Sequence, residues 1–163
     1  MSTSNPIVTK VELIQFSIRV PNIGSDPGGA GVFYAPGPGS DQVRFGIRIE
    51  TDAGVTGEYV PPRGRAKATM AHCEALAGIL VGKPALQRER FYTAMRRATK
   101  HVGENGIGPL DVALWDLAGK LHDTPVYSLL GGYRTQLPTY ASTLTGDRLP
   151  DGLSSPEIYA DFE

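Results

Sequence analysis

The segment Gly108–Gly132 constrains the fold of this chain more than any other part of the sequence. It reads GPLDVALWDLAGKLHDTPVYSLLGG, an apolar stretch followed by Thr-Pro and a pair of glycines. Its apolar stripe consists of four leucines at three- and four-residue spacing: Leu110, Leu114, Leu117 and Leu121. Val112 and Trp115 widen this stripe, so we expect one helix that is buried on most sides. The Thr-Pro pair predicts a second, short helix, and the two glycines predict its end.

Three strands and two further helices are predicted ahead of this segment. Ile14–Val20 and Val43–Ile49 alternate apolar and polar residues, and this period of two is typical of half-buried strands. A turn sequence precedes a third strand over Val55–Val60, which gives a three-stranded antiparallel meander that ends in a hairpin. Apolar spacing then predicts helices over Lys67–Val81 and Leu86–Lys100.

Pro21–Ser40 is a loop of about 20 residues without apolar periodicity, and loops of this length inside a domain are usually functional or disordered. Its glycine clusters, Gly28–Gly31 and Gly37–Gly39, are not followed by Gly-Lys-Ser or Gly-Lys-Thr. A phosphate-binding loop is therefore a poor interpretation of them.

Composition excludes several classes of function. The 163 residues carry a formal net charge of −1, which gives no reason to expect binding to nucleic acid or to an acidic membrane. No apolar run approaches the roughly 20 residues that a membrane-spanning helix needs. Cys73 is the single cysteine, so an internal disulfide is impossible, and we predict a cytoplasmic protein.

Four segments occur in the order and spacing of a known family: Arg44–Val60 (RFGIRIETDAGVTGEYV), Ala113–Lys120 (ALWDLAGK), Pro125–Arg134 (PVYSLLGGYR) and Leu137–Thr143 (LPTYAST). Through them the chain resembles the N-terminal part of the mandelate racemase/muconate lactonizing enzymes of the enolase superfamily. The resemblance implies an α+β capping domain over residues 1–132, a meander followed by a helical layer. Residues 133–163 would then begin a truncated (β/α)₇β barrel, with Leu137–Thr143 as its first strand and a first helix starting at Ser154.

The resemblance also implies an activity. Enzymes of this family abstract the proton alpha to a carboxylate, and a bound Mg²⁺ stabilises the resulting enediolate. The metal-binding carboxylates and the catalytic base of such enzymes lie on barrel strands beyond this chain, so no catalytic or metal-ligating residue is assigned here. We therefore expect the chain to be part of an acid-sugar dehydratase, racemase or isomerase that forms a homo-oligomer. We expect the chain alone to be inactive. The alternative is a non-catalytic binding or assembly module built on the capping fold.

In the family, two capping-domain loops close over the barrel and select the substrate. By position these loops would be Pro21–Ser40 and the segment from Tyr59 to Arg63. Five residues are therefore the predicted contacts to a small carboxylate or acid-sugar substrate: Tyr34, Tyr59, Arg63, Ser142 and Thr143. An arginine can bind a carboxylate through two hydrogen bonds, and the ends of barrel strands carry active sites. Ordinary loop or strand structure is the competing interpretation for each position.

Two pairs of polar residues on the long helix imitate catalytic motifs. Lys120 and His122 are two residues apart, which places their side chains roughly 200° apart around a helix, so they cannot share a substrate. Asp111 and Asp116 are about 140° apart and are not a metal-binding pair either. Asp116 is instead predicted to pair with Lys120 four residues later.

Overall fold

A computed structural model describes residues 5–25, 32–34, 36–37, 39–62, 66–140 and 157 of the chain. The strands are β1 (Val8–Val20), β2 (Ile23–Ser25), β3 (Val32–Tyr34), β4 (Ser40–Thr51) and β5 (Thr56–Tyr59). The helices are α1 (Ala66–Ala77), α2 (Arg88–Ala98), α3 (Ile107–Leu121) and α4 (Val126–Leu129). The described residues fall into two compact units: the first has residues 5–16 and 43–135, and the second has the described parts of 17–42 and 136–163.

The three long strands form one sheet in the order β1-β4-β5, so the predicted meander is confirmed. β4 and β5 pair antiparallel, with partners from Ile47–Tyr59 to Glu50–Thr56. The period of two in β4 predicts its buried face correctly, since Phe45, Ile47 and Ile49 are each at most 2% exposed. Together with the helices that follow, the sheet gives the predicted α+β capping fold.

The prediction for the apolar face of β1 is wrong. Ile14, Phe16 and Ile18 are 50%, 37% and 40% exposed, whereas Val11 and Leu13 pack against the core. Odd and even positions of a strand face opposite sides of the sheet. Among the described residues the helices cover the side of Val11 and Leu13, and a single helical layer buries only one face of a sheet.

Part of the long loop after β1 has regular structure, which the sequence pattern does not predict. β2 and β3 form a two-stranded antiparallel ladder in which Ile23 pairs with Tyr34 and Ser25 pairs with Val32. Three-residue strands are too short to show a period of two, although their β-branched and aromatic residues favour extended structure. Asn22 helps to close this unit, because its side-chain Oδ1 accepts a hydrogen bond of 3.0 Å from the Gly37 N–H.

Helix α3 is the centre of the first unit and contacts β5, α1, α2 and α4. Its leucine stripe is confirmed over three positions, since Leu110, Leu114 and Leu117 are at most 1% exposed. Val112, which was expected to extend the buried stripe, is 40% exposed, and Trp115 is half-buried rather than in the core. The guanidinium of Arg88 covers the Trp115 ring, with its carbon 3.2 Å from the ring centroid.

Helix α1 ends four residues before the predicted Val81, and residues 78–82 form turns. Leu80 is fully buried from this turn, so it preserves the apolar spacing without being helical. Within α1, Cys73 is fully buried and its Sγ lies 3.5 Å from the Gly106 carbonyl oxygen at the start of α3. Burial raises the pKa of the Cys73 thiol from 9.0 to about 12.

The end of α4 follows the prediction, but the strand expected after it does not form over residues 137–140. The Gly132 N–H donates to the Tyr127 carbonyl oxygen at 2.9 Å, which closes the helix. Residues 133–140 are exposed and have no regular structure. A strand needs a partner for its backbone groups, and no strand in the described part of the chain pairs with this segment. The rest of Leu137–Thr143, and the helix expected from Ser154 apart from the helical Glu157, lie outside the described residues.

Candidate functional site

The candidate site lies where β5 meets helix α3 and the chain turns out of the sheet. Gly57, in the middle of β5, is packed directly against the helix backbone. A Cβ built on Gly57 would lie 2.3 Å from the Ala113 carbonyl oxygen and 2.7 Å from the Leu117 Cβ. Because carbon and oxygen atoms in contact need more than 3 Å, only glycine allows β5 this close to α3.

Two side chains of α3 bind the backbone of β5 on either side of Gly57. The Glu58 N–H donates a 2.7 Å hydrogen bond to Asp116 Oδ2. The Lys120 Nζ donates a 2.9 Å hydrogen bond to the Thr56 carbonyl oxygen. Lys120 Nζ also lies 2.7 Å from Asp116 Oδ2, so the predicted ion pair is confirmed. The sequence did not predict that this pair also holds a strand.

The charges around this contact form a small network. The Glu58 carboxylate lies 3.5 Å from Lys120 Nζ and 3.4 Å from Arg48 Nε on the neighbouring strand. Partial burial lowers the pKa of Lys120, but the hydrogen bond and charge of Asp116, together with Glu58, outweigh it, so the pKa lies above its usual value. Lys120 is therefore held as an ammonium ion and is unsuited to act as a proton-abstracting base.

An open cavity of about 370 Å³ lies beside the chain that leaves β5. Its lining residues are Phe45, Tyr59, Pro61, Pro62, Thr69, Gly108, Pro109 and Val112. The walls are mostly apolar, and the side-chain hydroxyls of Tyr59 and Thr69 are the polar groups among them. Such walls offer few hydrogen-bond partners to the hydroxyls of a sugar.

Two of the five residues predicted to contact substrate, Tyr34 and Tyr59, lie in the described part of the chain. Tyr59 is half-buried at the end of β5 and lines the cavity. Tyr34 belongs to β3 in the second unit, where its backbone pairs with Ile23. Arg63, Ser142 and Thr143 lie outside the described residues, so their role stays a prediction.

Several residues of the site were not predicted. Phe45, Thr69 and Val112 line the cavity although they come from a strand and two different helices. Val112 is exposed because its position on α3 faces the cavity rather than the core. Only the close contact between β5 and α3 had a signal in the sequence. A glycine in the middle of a short strand, here Gly57, indicates that another part of the backbone approaches it closely.

The described residues do not fit a metal site. In the part of the chain that the structure describes, no group of three or more His, Cys, Asp or Glu side chains is placed to hold a metal ion. The carboxylates of Glu58 and Asp116 are instead engaged with Lys120, Arg48 and the β5 backbone. Within the described ranges, no helix combines the length and apolar character that crossing a membrane requires.

A three-stranded meander packed on a central helix, with a cavity beside the end of β5, is the architecture of a capping domain. The family model described as mandelate racemase / muconate lactonizing enzyme, N-terminal domain, matches residues 37–131, more than half of the chain. The chain therefore belongs to this family.

Known proteins similar to the chain include enzymes named for acid sugars. D-galactonate dehydratase of Xanthomonas campestris pv. campestris (strain B100) is 39% identical over 108 residues, which cover 63% of this chain and 28% of that enzyme. The crystal structure of D-glucarate dehydratase from Agrobacterium tumefaciens, complexed with magnesium, matches with 30% identity and a TM-score of 0.76, covering 98% of this chain and 41% of that one. An enolase superfamily member from Polaromonas sp. JS666 matches with 26% identity and a TM-score of 0.73, covering 96% of this chain and 40% of that one. The chain thus spans well under half the length of these relatives.

Proposed function

We propose that the chain is the N-terminal part of an acid-sugar dehydratase of the enolase superfamily, with residues 1–132 as its capping domain and 133–163 as the start of its barrel. The observation that carries the proposal is the 39% identity to a D-galactonate dehydratase over 108 residues of the chain. In such a reaction a base removes the proton on the carbon next to the carboxylate, and the hydroxyl on the following carbon leaves as water. The enol that results becomes a 2-oxo-3-deoxy acid.

The role of this chain in that reaction is to close the site and to contact the substrate. Tyr59 stands at the end of β5 with its ring against an apolar cavity, where its hydroxyl can hydrogen-bond a substrate oxygen. The apolar walls around it would keep water away from the reacting carbon. Tyr34, Arg63, Ser142 and Thr143 are proposed as further substrate contacts. The family resemblance implies that any Mg²⁺ would be bound by carboxylates on later barrel strands, and the described residues contain no group of three or more His, Cys, Asp or Glu side chains placed to hold it.

The test compares this chain with the longer protein that we expect its gene to encode. Reading the coding DNA beyond codon 163 should reveal further strand–helix units. The chain alone and the longer product are then incubated with D-galactonate, D-glucarate and other sugar acids in the presence of Mg²⁺, and 2-oxo acid formation is measured. We expect dehydration by the longer product and none by the chain alone. Activity of the isolated chain would contradict the proposal, as would a longer product that dehydrates no sugar acid.

The alternative, a non-catalytic binding or assembly module built on the capping fold, has one observation in its favour. Large apolar side chains near the C-terminal end of the described region are exposed, among them Tyr133 (89%), Leu137 (69%) and Tyr140 (89%). Exposed apolar groups of this kind favour association. A stop codon after Glu163, with a folded and self-associated product in analytical ultracentrifugation, would favour this module over the dehydratase.

A further inference from the structure

β5 lies at the edge of the sheet. In an antiparallel edge strand, the N–H and C=O of every second residue have no neighbouring strand to pair with. In an antiparallel pair, residues alternate between facing the neighbouring strand and facing away from it. The Glu58 N–H and the Thr56 carbonyl are two residues apart, and both are bound by side chains of α3. These groups therefore point away from β4, towards the position that a fourth strand would occupy.

The residues that carry the two side chains are spaced along α3 much as the residues that carry the two backbone groups are spaced along β5. Asp116 and Lys120 are four residues apart on α3, which separates them by about 6 Å along the helix axis. The α-carbons of Thr56 and Glu58 are two residues of strand apart, or about 6.8 Å. The chemistry matches as well, because the carboxylate faces the N–H donor and the ammonium faces the carbonyl acceptor. Gly57, between them, lets the helix come close enough for both contacts.

We propose that Asp116 and Lys120 act as a side-chain substitute for a fourth strand, and that they thereby fix the direction in which the chain leaves β5. They are positioning residues for the segment Tyr59–Pro62, in which Tyr59, Pro61 and Pro62 line the cavity. The importance of that segment for substrate rests on the proposed function. The edge contact itself does not rest on it, and the test below uses no substrate.

The test measures amide hydrogen exchange by NMR on the full 163-residue chain. The Glu58 amide should be protected in the wild type although it belongs to an edge strand. Asp116→Ala should speed its exchange by about ten-fold or more, because a charge-assisted hydrogen bond is lost. The Gly57 amide, which faces β4, should stay protected. Asp116→Asn keeps an acceptor oxygen and should restore most of the protection of Glu58.

A charge swap separates this role from that of an ordinary ion pair on a helix. The double variant Asp116→Lys/Lys120→Asp keeps both charges at the same spacing, but it places an ammonium against the Glu58 N–H and a carboxylate against the Thr56 carbonyl. We expect loss of Glu58 protection and shifted amide resonances at Tyr59 and Val60. The control is Glu104→Gln, which removes the exposed ion pair with Arg96 (3.0 Å) and should leave the β5 amides unchanged.

The possible outcomes separate clearly. An unprotected Glu58 amide in the wild type would overturn the proposal without any variant. Normal protection of Glu58 in the charge swap, or no recovery in Asp116→Asn, would overturn it too. Uniform loss of protection through β4 and α3 in Asp116→Asn would show general destabilisation, and would refute a local positioning role. None of these results depends on whether the chain belongs to a sugar-acid dehydratase.

Discussion

Replacing Gly57 by alanine tests the packing of β5 on helix α3 with a single methyl group. The new Cβ would stand 2.3 Å from the Ala113 carbonyl oxygen, 2.7 Å from the Leu117 Cβ and 3.0 Å from the Leu117 backbone nitrogen. Two of these three atoms belong to the helix backbone, so rotation of a side chain cannot relieve the contact. The strand and the helix must instead separate by roughly 1 Å, given carbon–oxygen contact distances above 3 Å.

The size of the effect follows from two destabilising contributions and one that opposes them. Overpacking a well-packed core destabilises by about 1–3 kcal/mol, and backbone contacts place Gly57→Ala at the upper end of that range. The separation also lengthens the hydrogen bonds of Asp116 and Lys120 to β5, each worth roughly 1 kcal/mol. Alanine opposes this by about 0.4–1 kcal/mol, because it reduces the entropy of the unfolded chain. Because the two hydrogen bonds are weakened rather than broken, we expect a net loss of about 3 kcal/mol in the free energy of unfolding.

The assay is urea-induced unfolding, followed by circular dichroism and by the fluorescence of Trp115, the single tryptophan. The matched control is Gly78→Ala, an exposed position just after α1 where a Cβ would meet nothing within 4 Å. This control should change the free energy of unfolding by no more than about 0.5 kcal/mol, because it removes no contact and creates no overlap. If Gly57→Ala unfolds within about 0.5 kcal/mol of the wild type, the proposed close packing of β5 on α3 is wrong.

Two further predictions concern buried polar groups in the helical layer. Because the pKa of Cys73 is raised to about 12 from 9.0, the unfolded chain loses a proton more readily than the folded chain above pH 9. The contribution of the Cys73 thiol to the free energy of unfolding should therefore be constant below pH 9. It should lower that free energy as pH rises from 9 towards about 12. Urea unfolding at a series of pH values measures this, and a Cys73→Ala variant with the same pH dependence would contradict it. Thr99→Val should cost about 1 kcal/mol in the same assay, because the buried Thr99 hydroxyl donates to the Met95 carbonyl oxygen at 2.9 Å. The exposed Thr93→Val serves as its control, and equal midpoints for the two variants would refute the role of that hydrogen bond.

The spacing of apolar residues along the chain predicted which segments form the main strands and helices. The alternation in β4 and the leucine spacing in α3 identified buried faces correctly, because each face repeats with the period of its own element. The alternation in β1 was just as regular, but it placed Ile14, Phe16 and Ile18 on the wrong side. A strand pattern shows that two faces differ, and it does not show which face the helices will cover. That choice depends on residues distant in sequence.

The candidate site was predicted in outline only, for the same physical reason. Position in the chain identified Tyr59 and the loop after β5, and the structure places that tyrosine at the cavity. The hydrogen bond from Glu58 to Asp116 joins residues 58 positions apart, and helical spacing alone indicated nothing beyond the ion pair with Lys120. Side-chain to backbone contacts of this range depend on how elements pack, so periodicity does not reveal them.

The seclusion of Cys73 in α1 makes the chain well suited to site-specific labelling. With its lone native thiol fully buried, a cysteine introduced on the surface would be the one position open to a maleimide dye or a nitroxide. Placed at Val60, such a probe would report on the chain leaving the sheet, with the native indole as an internal energy-transfer donor. Distances in solution could then be followed without first replacing Cys73.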